Sequence, residues 1–186
     1  MSTAKHLTAI ILLPGMVLIA IPGLILYFTQ TVSAGWGFRV PWALIPIIVG
    51  VLFIGAGLWL MVHTVKLFAN RGHGTLAPWS PTQRLVVQGV YRYVRNPMMS
   101  GVYAVLLGEV ILFGAWPLLF WLVPFVLGNA IYIPLWEERS LVRRFGADYL
   151  EYKKHVPRWM PRVHPWTPPW ERGKEPQLNR LPPGSI

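Results

Sequence analysis

Tyr93, Arg95 and Asn96 stand just before a long apolar stretch, and Glu137 and Glu138 stand just after it. A guanidinium, an amide and a phenol set against twin carboxylates suit a ligand carrying both charges, beside an apolar partner molecule. The same residues could instead be salt bridges and snorkelling arginines that cap helix ends. Either reading needs the two groups to meet, and that depends on Met98–Trp136. As one helix this stretch would measure roughly 60 Å, about twice the hydrocarbon core of a bilayer. It must therefore fold back, and Gly114-Ala115-Trp116-Pro117 is the natural turn. One acidic residue, Glu109, lies within the apolar stretch. A carboxylate at mid-membrane costs about 2.5–3.5 kcal/mol, so it usually faces the protein interior. It reads either as a substrate-facing or proton-accepting group, or as an interhelical hydrogen bond made while protonated.

The elements that must position these residues follow from composition. Of the 186 residues, 54% are hydrophobic and only 13% are charged, too apolar a balance for an ordinary soluble domain. Residues 7–28 form one apolar run, with Pro14 and Pro22 as kinks. Lys5 precedes this run and Val32-Ser33-Ala34 resembles a cleavage site, but the run exceeds the roughly 7–15 residues of a signal peptide core. It is read as a retained helix. A second span covers residues 42–67, with Gly50, Gly55 and Gly57 allowing close helix approach. The hairpin adds residues 98–113 and 117–136. The fold class is thus all-α: a multi-pass membrane bundle of about four transmembrane helices, with a C-terminal hairpin and short cytoplasmic helices. Residues 1–165 make one domain, and residues 166–186 a proline-rich tail. The polar stretch after Glu137 reads as a helix stopping near Gly146, then a second over 148–155, with Trp159, Trp166 and Trp170 at the membrane interface.

Charge orients the bundle. Of the 17 Lys and Arg residues, only Arg39 falls after the first span and none falls in the hairpin turn. The others lie on the opposite side, which should be the cytoplasm, together with both termini and the site. The net charge of +10 therefore suits anionic lipid, and no separate basic face suggests nucleic acid. No cysteine is present, which excludes disulfides and thiolate chemistry. The five histidines are scattered without zinc-helix spacing, so no metal site is expected.

Two further runs carry a likeness. Gly74-Thr75-Leu76-Ala77-Pro78 precedes Gly89-Val90-Tyr91-Arg92-Tyr93-Val94-Arg95-Asn96-Pro97-Met98. Gly108-Glu109, Glu137-Glu138, Arg144-Phe145-Gly146-Ala147-Asp148-Tyr149, Tyr152 and Val156-Pro157-Arg158-Trp159 then follow in order. Over residues 70–165 the chain resembles the isoprenylcysteine carboxyl methyltransferases and their relatives among phospholipid N-methyltransferases. The resemblance implies S-adenosylmethionine as cofactor and a lipophilic acceptor, a lipid or isoprenoid-like carboxylate or amine. Carried over by position, Arg95, Asn96, Pro97, Met98, Glu137 and Glu138 would line the cofactor pocket. Tyr93, Tyr149 and Tyr152 are candidates to pack on adenine or sulfonium, and Tyr91 is a further cofactor-binding candidate. Arg95 or Arg143 would hold a carboxylate, and Glu109 completes the candidates for the reacting centre. Asn96 stands where many members have histidine, and Met99 where many have tyrosine, which bears on the acceptor more than on the cofactor. Two alternatives remain: an NADPH-dependent enzyme of the sterol-reductase type, although no Gly-x-Gly-x-x-Gly loop is present, and a non-catalytic membrane scaffold.

Overall fold

In the computed structural model, residues 14–71 and 85–171 are described, the side chains of the first stretch as far as Leu67. The start of the first expected span, the Gly74–Pro78 motif and the end of the tail lie outside the described residues. Among those described there are helices and no strands. A π-helical turn, Met16–Ala20, leads into α1, Ile21–Thr29. α2 runs Leu44–Arg71, α3 Pro97–Phe113, α4 Leu119–Tyr132 and α5 Glu138–His155. A second π-helical turn, Ile133–Glu137, joins α4 to α5.

Three helical stretches among the described residues are long and apolar enough to cross a membrane: Met16–Gly37, Leu44–Leu67, and one beginning at Trp116. α3 is the shortest of the expected spans. Its 17 residues rise about 25 Å, near the lower limit for a crossing. Ile45, Ile48, Leu52, Trp59, Phe120, Val123, Leu127 and Ile131 are exposed. In water such a surface would aggregate; in lipid it is the solvent-matched face.

α2 and α3 pack backbone to backbone because glycines meet there. A Cβ at Gly57 would stand 2.6 Å from the Gly101 carbonyl oxygen, and one at Gly108 would stand 2.8 Å from that of Gly50. The second packing layer is side-chain mediated. Val102, Val105, Leu106 and Val110 of α3 join Leu18, Met61, Leu118 and Leu122 in one buried cluster. The indole of Trp121 donates to the Val17 carbonyl at 3.1 Å, using an acceptor in the π-helical turn.

The chain reverses at Gly114, which ends α3 with φ 57. A side chain there is excluded twice over, since its Cβ would lie 2.1 Å from the Ser33 carbonyl oxygen as well as in the left-handed region. The loop after α1 covers this end of α3: Ser33 N–H donates to the Phe113 carbonyl at 2.8 Å and the Trp36 indole to Ile111 at 2.9 Å. Two of the orphan carbonyls of the helix terminus are thus satisfied.

Candidate active site

The hairpin base is built from three segments. Residues 85–96 arrive in irregular backbone with one 3₁₀ turn, Gly89–Arg92. Pro97, fully buried, opens α3 at a position where its missing N–H does no harm. α5 leaves at Glu138, breaks at Gly146 (φ 56, ψ −129), and continues to His155. The chain after α5 then runs back along residues 92–95. Arg95 N–H donates to Pro157 at 2.9 Å, Arg162 N–H to Tyr93 at 3.0 Å, and Trp166 N–H to Arg92 at 3.0 Å.

Glu138 fastens the segments together. It is 3% exposed. Its Oε1 accepts from Arg95 Nη1 and Arg158 Nε, both at 2.7 Å. Its Oε2 faces Lys153 Nζ at 2.9 Å, a charge contact without hydrogen-bond alignment. Burial by itself would raise this carboxyl. The hydrogen bond from Arg158, the Lys153 ammonium beside Oε2 and the charges of Arg95 and Arg158 outweigh it and hold the group down at about 2. Arg95 also donates from Nε to the Val156 carbonyl at 2.7 Å. One carboxylate thus ties the loop before α3, the two halves of α5 and the strand-like return after it.

Glu137 differs in every respect. It is exposed, although protein stands close enough around it that desolvation, and then the charge of Glu138, raise its carboxyl above the usual range. No hydrogen bond or ion pair from the described residues holds it. It closes a π-helical turn, a local geometry frequent at functional sites. The twin glutamates therefore split: Glu138 realises the salt-bridge reading and Glu137 remains open to a ligand.

The other expected residues divide likewise. Asn96 occupies the N-cap of α3, but its side chain does not cap; its carbonyl accepts from Ser100 N–H and Oγ, each at 3.1 Å. Met98 and Tyr93 are half-buried. Tyr91, Tyr149 and Tyr152 are buried scaffold. The Tyr152 hydroxyl donates to the Tyr91 carbonyl at 2.7 Å. The rings of Tyr149 and Tyr152 pack with Val87, Val156 and Trp166. Burial raises the Tyr149 hydroxyl to about 12, with Glu138 adding to the shift, so it does not ionise near neutral pH. Arg143 is exposed and bonds back to the Arg139 carbonyl at 3.5 Å.

Glu109 stands apart. It is buried on α3 beside Val110, with Oε2 unpartnered among the described residues. Twelve residues of helix separate it from Pro97, or about 18 Å. It lies nearer the Gly114 turn than the hairpin base, so Arg95 and Glu109 do not share one centre.

Several contributors had no role assigned from sequence. Lys153 lies fifteen residues beyond Glu138 and would be about 22 Å away along a straight helix; the break at Gly146 brings it back. Arg158 was legible only as part of a motif. Trp166, expected at the lipid interface, is 6% exposed and stacks on His155 at 5.2 Å, with Tyr152 at 5.9 Å. The packed chain thus continues past residue 165, as far as Glu171, which pairs with Arg92 at 2.7 Å.

The profile of the phospholipid methyltransferase family matches residues 45–148, more than half of this chain. Methanethiol S-methyltransferase 2 of Bradyrhizobium diazoefficiens is 33% identical over 85 residues, covering 40% of this chain and 27% of that protein. Protein-S-isoprenylcysteine O-methyltransferase of Homo sapiens is 30% identical over 102 residues, covering 50% of this chain and 33% of that protein. The chain spans about a third or less of the length of these curated relatives. All three findings are methyltransferases, and none favours a nicotinamide-dependent reductase. With its apolar helices and its hairpin base, the chain is an integral membrane protein that belongs to the phospholipid methyltransferase family.

Proposed function

We propose that this chain is an S-adenosylmethionine-dependent methyltransferase acting on a lipophilic acceptor at the cytoplasmic surface of the membrane. The observation that carries the reading is the unequal use of the two glutamates. Glu138 is consumed in closing the hairpin base, whereas Glu137 stands beside it without a hydrogen bond or ion pair among the described residues. A free carboxylate suits the amino group or ribose hydroxyls of the cofactor. The uncapped Asn96 amide, with Pro97 and Met98 at the start of α3, supplies polar and apolar surface nearby.

When bound, S-adenosylmethionine supplies an electrophilic methyl group on a sulfonium centre. The chain's own part is to bind, orient and exclude water. Arg95 acts as a positioning residue, because its guanidinium is engaged by Glu138 and Val156. Tyr91, Tyr149 and Tyr152 form the supporting layer. Positioning and a dry site are the main demands of methyl transfer. A membrane-embedded body lets an apolar acceptor arrive from lipid and the polar cofactor from water. The concentration of Arg and Lys around the base supports a cytoplasmic orientation for that water.

Calorimetric titration of S-adenosylhomocysteine into the protein in lipid nanodiscs tests the reading. Micromolar binding is expected for the wild type. Glu137→Gln should weaken it roughly tenfold, the loss of one charge-assisted hydrogen bond. Its thermal stability should stay unchanged, since Glu137 makes no hydrogen bond or ion pair among the described residues. A folded wild-type protein that binds no S-adenosylhomocysteine overturns the proposal.

A further inference from the structure

Tyr103 has a buried hydroxyl with no hydrogen-bond partner among the described residues. Leaving such a group unsatisfied costs about 1–3 kcal/mol, so it calls for an explanation. The residue lies six positions into α3 from Pro97, about 9 Å below the hairpin base. Its ring meets Phe125 of α4 edge to face, with centroids 6.1 Å apart. On another side it meets Trp159 at 5.5 Å. Phe125 continues to Trp121 at 5.5 Å. An aromatic wall thus runs from the base toward the hairpin turn, along the side of α3 that α2 does not occupy. The Glu137 carboxylate is close enough to Tyr103 to act on it electrostatically.

We infer that Tyr103 determines acceptor specificity, its hydroxyl oxygen receiving a hydrogen bond from an uncharged or cationic head group while the aromatic wall holds the apolar tail. The inference rests on the methyltransferase reading above and names which acceptors that site takes. An amine or thiol head brings its own donor to the orphan oxygen. An ammonium head also gains from the ring faces of Tyr103, Phe125 and Trp159. A carboxylate head meets the field of Glu137, and like charges in a dry site discriminate strongly. Trp159 is the one wall residue not carried by a helix. In this inference Trp159 is the neighbour that would move aside to open the hydroxyl to the head group.

The probes are three amphiphiles with the same tail: dodecylamine, dodecanethiol and dodecanoate. Each is titrated into wild-type and Tyr103→Phe protein in phosphatidylcholine nanodiscs, and S-adenosylhomocysteine is titrated separately. Tyr103→Phe retains every ring contact, so its melting temperature checks that the fold is intact. The wild type should bind the amine and the thiol roughly tenfold more tightly than the carboxylate. Tyr103→Phe should bind the amine and the thiol more weakly, narrowing that preference, while keeping its affinity for S-adenosylhomocysteine. Equal affinities for the three heads in the wild type, or an unchanged preference in Tyr103→Phe, overturns the inference. Failure of the wild type to bind S-adenosylhomocysteine overturns the methyltransferase reading instead, so the two failures are distinct.

Discussion

Glu138→Ala is expected to destabilise the protein by about 3–5 kcal/mol, because it strands buried cations rather than merely deleting a contact. Arg95 is the most affected. Its side chain is 10% exposed, and its bond to Glu138 joins the loop before α3 to α5. Arg158 and Lys153 are more exposed and recover water more easily. The variant should therefore lose S-adenosylhomocysteine binding together with stability, unlike Glu137→Gln. Thermal unfolding in detergent, followed by circular dichroism, gives the first quantity. A Glu138→Ala protein as stable as the wild type would show that the network is ornamental. The same group predicts a pH dependence. Its folded value, about 2, lies below the ordinary glutamate value of roughly 4.3. Its stabilisation is therefore complete above pH ~4.3 and is lost as the pH falls through the interval down to about 2. In Glu138→Gln that acid-side loss should be missing.

Gly57→Ala and Gly101→Ala should each cost at least about 1–3 kcal/mol, the usual range for overpacking. The obstruction is backbone, which cannot rotate away. At Gly57 the new methyl group would stand 2.6 Å from the Gly101 carbonyl oxygen and 3.0 Å from Val105 N. At Gly101 it would stand 2.8 Å from the Gly57 carbonyl oxygen. α2 and α3 must separate, and with α3 moves the Asn96–Met98 turn of the site. Gly55→Ala is the control, since nothing lies within 4 Å of its added carbon. That substitution should be neutral or slightly stabilising, as alanine is the better helix former. The comparison is read from midpoints of unfolding in sodium dodecyl sulfate. Equal midpoints for Gly57→Ala and Gly55→Ala would contradict the packing described here.

Hydropathy, charge and turn chemistry sufficed to read the helical class, the reversal at Gly114–Pro117 and the approach of Arg95 to the glutamates. Each is a local or one-dimensional property: an apolar run has a length, and a bilayer has a thickness. The motifs between residues 74 and 159 likewise sufficed to suggest the family. What the linear order could not show is how the two glutamates differ. Adjacent on one helix turn, they are chemically identical in sequence. Only the return of the chain after Gly146, bringing Lys153 and Arg158 to Glu138, makes one a fastening and leaves the other open. The same holds for Trp166, apolar enough for an interface but drawn into a core by His155 and Tyr152. Glu109 shows the converse: near to the motifs in sequence, yet carried about 18 Å from the base by the rise of its helix. Partners distant along the chain decide burial and pairing, and these arise only when the tertiary structure closes.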